Sequence, residues 1–222
     1  MSTALPYVEV NPSLTPDAVV IWLHGLGDSG NGFAPIVPQL RLPASMAVRF
    51  VFPHAPVRPV TINNGMQMRA WYDIKSLDFN NRADVQGVEE SVALVRQLLE
   101  DEMAKGISSE RIILAGFSQG GVIAYHLGLS FDKPLAGIMA LSTYMCEPQK
   151  FADRLNDANR TTPVLVAHGL YDEVVPCALG KQAHDVLLEN GIPARWREYP
   201  MQHNVCMEEI QEISHWLQQR LG

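Results

Sequence analysis

No stretch of this 222-residue sequence stays apolar for the roughly 20 residues needed to cross a bilayer. The N-terminal MSTALPYVEVNPS has neither a basic start nor an apolar core, so no secretory signal is expected. Cysteine is scarce, and its three copies (Cys146, Cys177 and Cys206) are odd in number and widely spaced. That speaks against a disulfide framework and for reduced thiols in a cytoplasmic protein. Positive charge is short too: 17 Lys and Arg against 24 Asp and Glu give a net charge of −7. A nucleic-acid binder would need a concentrated basic face, so that class is set aside. Linkers, internal repeats and low-complexity tracts are missing, which points to one domain over residues 1–222. What is present is ample core material, with 47% hydrophobic and 18% charged residues.

Short β-branched runs recur at spacings too long for hairpins: AVVIWLH from Ala18, VRFVFP from Val48, RIILAG from Arg111, LAGIMALS from Leu135 and PVLVAHG from Pro163. Such runs suit strands buried on both faces of a parallel sheet. Between them, Val85, Val88, Val92, Val95 and Leu99 form one helical stripe, and Met207, Ile210, Ile213, Leu217 and Leu221 form another. Pro176 opens a further helix that Gly191 closes. ARWREYP alternates charged and aromatic residues and suits an edge strand guarded by Arg195 and Arg197. Strand–helix alternation predicts an α/β fold, a mostly parallel central sheet with helices on both faces.

The stretch RIILAGFSQGG sets a serine among glycines. Gly116-Phe117-Ser118-Gln119-Gly120 reads G-x-S-x-G after a strand and before a helix expected to run from Gln119 to about Ser130. There the serine occupies a strained turn that lifts its hydroxyl above the sheet at a helix N-terminus. Serine needs a base, and the base needs an orienting acid, in the chain order Ser, acid, His. His184 and His215 fall inside helices. His203 falls in the loop PMQHNV, where such sheets place chemistry. Asp172 lies just beyond the strand ending near His168, with Glu173 as the fallback, whereas Asp153 and Asp157 sit in a polar surface segment. The reading is Ser118 as nucleophile, His203 as base and Asp172 as the acid.

HGLGDSG carries Gly25-Leu26-Gly27-Asp28-Ser29-Gly30, a literal G-x-G-x-x-G after a strand. A dinucleotide site would want an acid roughly 20 residues later. None occurs between Asp28 and Asp73, and Arg58 as a partner for a 2′-phosphate is a weak substitute. The alternative is an oxyanion hole, with the Leu26 amide joining that of Gln119. Only this second use accounts for Ser118, Asp172 and His203 together.

WLHGLGDSG, AWYDI, RIILAGFSQGG, ALSTY, YDEVVP and HNVCMEEI resemble the carboxylesterase type II and acyl-protein thioesterase family of α/β-hydrolases, most closely its bacterial carboxylesterases. The likeness spans nearly the whole chain. It implies a single-domain serine hydrolase without a separate cap, the triad on Ser118, Asp172 and His203, and the oxyanion amides at Leu26 and Gln119; such a mechanism requires no metal or organic cofactor. Similar enzymes are typically homodimers, but no exposed patch in the sequence decides the oligomeric state. The family has Gly before the catalytic His and Ser after it; here Gln202 and Asn204 stand there, which bears on the conformation of that loop.

TINNGMQMRAWYDIKSLDFNN reads as an irregular excursion. In similar enzymes the corresponding segment borders the acyl groove. Met66, Met68, Trp71 and Leu77 are its candidate lining, with Trp71 and Met68 serving equally well as core, and methionine suits chains of varied length. Val174 and Val175 offer a second apolar wall. The excursion is expected to set acyl-chain preference and to touch membrane surfaces when open. Esters, lysophospholipids and acylated proteins all need the same triad, so pocket shape decides among them.

Overall fold

The computed structural model describes residues 4–79 and 83–222. Its strands are β1 (Tyr7–Val10), β2 (Ala18–Leu23), β3 (Val48–Pro53), β4 (Val57–Val60), β5 (Met66–Arg69), β6 (Ile112–Phe117), β7 (Gly137–Leu141), β8 (Val164–Gly169) and β9 (Ala194–Tyr199). The α-helices are α1 (Gly30–Phe33), α2 (Val37–Leu40), α3 (Val85–Ala104), α4 (Gln119–Ser130), α5 (Phe151–Arg154), α6 (Cys177–Glu189) and α7 (Met207–Leu221). Seven strands form one sheet in the order β1-β3-β2-β6-β7-β8-β9. Every pairing is parallel except that of β1 with β3. The five apolar runs are the five inner strands, and ARWREY is the edge strand β9.

Alternation along a strand splits the core in two. On β2, Val19, Ile21 and Leu23 pack with α3, α4 and α6, while Ala18, Val20 and Trp22 pack with α2 and α7 on the opposite face. Both faces of the inner strands are therefore covered, as their unbroken apolar sequences require. The two helical stripes pack as expected beyond their opening residues. Val85 and Met207 are each the first residue of a helix and stay exposed, at 37% and 50%.

The excursion after β3 is more regular than its composition suggests. β4 and β5 pair antiparallel, from Val57 opposite Arg69 to Val60 opposite Met66. Asn64 (φ 55°) and Gly65 (φ 74°) both take left-handed backbone at its turn. The hairpin connection is five residues long: a 3-10 turn over Thr61–Asn63, closed by this left-handed Asn-Gly pair. Pro59 and the lack of β-branched residues in MQMR mask it in the sequence. Asn80 and Asn81, which end the excursion, lie outside the described residues. Among the described residues no helix is long and apolar enough to cross a membrane.

Candidate active site

The C-terminal ends of β2, β6 and β8 and the loop after β9 converge on one side of the sheet, the usual place for a site in a parallel sheet. Ser118 follows β6 and caps α4 at φ 52°, ψ −119°, a conformation costly for a non-glycine residue. Its neighbours hold it there. The Ser118 amide donates to the Leu141 carbonyl at 2.9 Å, and its carbonyl accepts from Thr143 Oγ1 at 2.6 Å and from the Gly121 amide at 2.9 Å. The glycines make room for this turn. A Cβ on Gly116 would fall on the Gly120 carbonyl, one on Gly120 would lie 2.5 Å from the Leu23 carbonyl oxygen, and one on Gly121 2.5 Å from Thr143 Cβ.

His203 Nε2 lies 3.0 Å from Ser118 Oγ, and its Nδ1 lies 2.6 Å from Asp172 Oδ2. Asp172 cannot donate when ionised, so Nδ1 carries the ring proton and Nε2 presents its lone pair to the serine hydroxyl. Asp172 Oδ1 is occupied separately, accepting the amides of Val174 at 2.9 Å and Val175 at 2.8 Å. Its side chain is fully buried, while that of His203 keeps 18% exposure. Phe117 packs against the His203 ring with centroids 4.8 Å apart. The residues set aside in the sequence lie elsewhere. Glu173 and His215 are exposed, and His184 sits on α6 against Lys181 and Asp185. Gln202 and Asn204 point to solvent, and neither takes a positive φ, so this loop does not require glycine before His203.

The loop after β2 reaches the same place. Gly27 (φ 76°) donates to the Arg69 carbonyl at 2.8 Å, and Asp28 N–H returns to the Gly25 carbonyl at 3.3 Å. His24 braces the loop from beneath. Its Nε2 accepts the Ala55 amide at 3.0 Å, so its Nδ1 is the nitrogen that donates to the Gly25 carbonyl, at 2.6 Å. Burial, the largest influence, lowers its pKa, which keeps the ring neutral in that role. Among the described residues the Leu26 and Gln119 amides, both at the cavity, are taken by no hydrogen-bond acceptor. The G-x-G-x-x-G run leads only into the four-residue α1. Its Gly30 sits where a Cβ would overlap the Phe52 carbonyl, which explains that glycine by packing.

A cavity of about 240 Å³ opens over Ser118 and His203, walled by Leu26, Tyr72, Ile74, Tyr144, Val174 and Val175. Val174 and Val175 were the expected second wall. Tyr72, Ile74 and Tyr144 lie in AWYDI and ALSTY but carry no local mark of lining, since Tyr144 arrives from beyond β7 and its hydroxyl meets that of Tyr72 at 2.9 Å. Trp71 is fully buried and donates its Nε1 proton to the His24 carbonyl at 2.8 Å, so it belongs to the core, away from the cavity wall. Met68 is half-buried against the core, whereas Met66 and Leu77 are 63% and 76% exposed and stand off the cavity.

The phospholipase/carboxylesterase family matches residues 6–221 of this chain. An acyl-protein thioesterase 1 from Neurospora crassa is 41% identical, covering 92% of this chain and 87% of its own. Another from Gibberella zeae is 39% identical over 92% of this chain and 91% of its own. The crystal structure of Zea mays acyl-protein thioesterase 2 superposes with a TM-score of 0.87 at 29% identity, covering 98% of this chain and 99% of that one. With its parallel sheet and covering helices, this chain is an α/β-hydrolase and belongs to the phospholipase/carboxylesterase family.

Proposed function

We propose that this chain cleaves acyl esters and thioesters through a covalent acyl-enzyme built on Ser118, His203 and Asp172. The observation that carries the reading is the unbroken line from Ser118 Oγ to His203 to the buried Asp172 carboxylate. Ser118 Oγ attacks the acyl carbonyl as its proton passes to His203 Nε2, and Asp172 stabilises the imidazolium that forms. The carbonyl π electrons move onto its oxygen, where the free amides of Leu26 and Gln119 receive the negative charge; each such donor is worth about 2.7–4 kcal/mol in the transition state. The intermediate collapses, and the alcohol or thiol leaves with the proton from His203. Water, deprotonated by His203, then releases the acid and restores the serine.

The apolar walls given by Leu26, Ile74, Val174 and Val175 suit an acyl chain. Since the fungal and maize relatives are named acyl-protein thioesterases, an acylated protein is the favoured natural substrate, with smaller esters as further substrates. Exposed Met66 and Leu77 near the hairpin suit transient contact with the membrane in which acylated proteins sit.

The test compares wild type with Ser118→Ala on p-nitrophenyl esters of rising chain length and on an S-acylated peptide. Wild-type turnover of both, abolished in Ser118→Ala, is expected. Asp172→Asn is expected to lower kcat by about 10⁴, because Asn keeps the Val174 and Val175 contacts yet favours the wrong imidazole tautomer. A Ser118→Ala protein with the wild-type rate would discard the mechanism.

A further inference from the structure

We propose that His168 is a positioning residue for Asp172, a second imidazole that clamps the turn Asp172–Val175 from below and so fixes the aim of the carboxylate at His203. The inference rests on the triad reading above.

His168 is the penultimate residue of β8, four positions before Asp172, and is fully buried. Its Nε2 lies 2.8 Å from the Val175 carbonyl oxygen and 3.5 Å from Asp172 Oδ2. Both neighbours only accept, so Nε2 must carry the proton. Nδ1 has no hydrogen-bond partner among the described residues. Burial, the leading influence, lowers the pKa of this ring, in keeping with one proton on it.

The tautomer is therefore opposite to that of His203. Asp172 Oδ2 meets His203 Nδ1–H at 2.6 Å on one side and faces His168 Nε2–H on the other. Oδ1 takes the Val174 and Val175 amides. Val175 is thus held at both ends of its peptide: its amide by Asp172 and its carbonyl by His168. Without His168 that buried carbonyl loses its donor, which leaves the turn free to rotate Oδ2 away from His203. Val175 also walls the cavity, so one imidazole ties the acid to the pocket.

The ring has no room to swing aside. It packs against Trp196 with centroids 6.3 Å apart, and α6 comes so near that a Cβ on Gly180 would overlap its Nδ1. A histidine kept merely to fill this space would be indifferent to which nitrogen carries the proton and to where a replacement puts its N–H.

Glutamine can place an amide N–H where Nε2 stands, whereas the shorter asparagine reaches only to the region of Nδ1. With p-nitrophenyl butyrate, His168→Gln is expected to stay near the wild-type kcat. His168→Asn is expected to lose about 10- to 100-fold in kcat, the cost of a catalytic group displaced by about 1 Å, with KM nearly unchanged. Equal kcat for the two variants, whether high or low, overturns the proposal. Should either variant fail to fold, ring ¹⁵N–¹H correlation spectra of the wild-type protein decide: Nε2 protonated and Nδ1 bare supports the clamp, and any other protonation of His168 overturns it. Ser118→Ala and Asp172→Asn run alongside. If either keeps wild-type kcat the triad reading itself fails. If both are inactive while His168→Asn matches wild type, only this inference fails.

Discussion

The Gln119 side chain accepts the Trp71 backbone N–H at 2.7 Å, and its own amide donates at 2.7 Å to the next carbonyl, that of Tyr72. Gln119 is 2% exposed, so a residue beside Ser118 spans buried backbone whose Trp71 carbonyl is held separately by Ser91 of α3. It also couples the Ser118 turn to Tyr72, which walls the cavity. Gln119→Ala keeps the backbone amide assigned to the oxyanion but takes the acceptor from the buried Trp71 N–H and a donor from the Tyr72 carbonyl; a buried donor left unpaired costs about 1–3 kcal/mol. The expected outcome in urea unfolding is a lower midpoint with an unchanged slope. An unchanged midpoint would mean that water replaces both bonds.

The glycines divide into two kinds, and alanine substitution separates them. Gly116 and Gly120 have carbonyl oxygens where a Cβ would go, both of them backbone atoms that cannot step aside. Gly65 has a φ of 74° and nothing within 4 Å of its Cβ position. Gly65→Ala should therefore cost only the left-handed penalty, about 1–2 kcal/mol. Gly116→Ala and Gly120→Ala should instead abolish activity and drop the melting temperature far more. Circular dichroism melts of the three variants check this; equal losses would show that backbone strain, not space, decides.

These glycines also show what a single sequence can carry. The meeting of Ser118, Asp172 and His203 was legible because Ser118 and Asp172 sit just beyond apolar strands and His203 just beyond the edge strand, where chain order and element ends define position without any knowledge of side-chain packing. Leu26 and Gln119 followed from the same local logic. The cavity wall beyond Val174 and Val175 did not. Tyr72, Ile74 and Tyr144 meet only through the fold, from segments some 70 residues apart, and nothing local marks Tyr144 as a partner for Tyr72. Trp71 shows the converse failure. Its aromatic bulk in a Met-rich stretch suits a groove as well as a core, and only its bond to the His24 carbonyl decides. Apolar character says that a residue wants burial, but not against what.

Acyl-chain length should respond to the wall, not to the exposed hairpin. Ile74 is 3% exposed and faces the cavity, so Ile74→Trp shortens the space left for an acyl chain. The expected result is a loss in kcat/KM that grows from acetate to longer p-nitrophenyl esters. The double variant Met66→Ser, Leu77→Ser should change that profile less, because both side chains already stand in solvent. A larger effect from the double variant on soluble esters would place the hairpin over the bound chain.

Stability should fall as pH rises because of Glu209. This residue lies in the first turn of α7 and is fully buried, with no hydrogen-bond partner for either carboxyl oxygen among the described residues. Burial pushes its pKa up from 4.5 to about 8, with the Cys206 backbone opposing in part. Between those two values the folded chain holds a proton that the unfolded chain has released. The contribution of Glu209 is therefore complete below pH 4.5 and is lost as pH climbs through about 8. Glu209→Gln keeps a neutral side chain of nearly the same shape at every pH. In thermal melts the variant should match wild type near pH 5 and exceed it by a widening margin toward pH 9. Parallel curves for the two proteins would show that Glu209 does not titrate in this range, and that its carboxylate finds a partner when ionised.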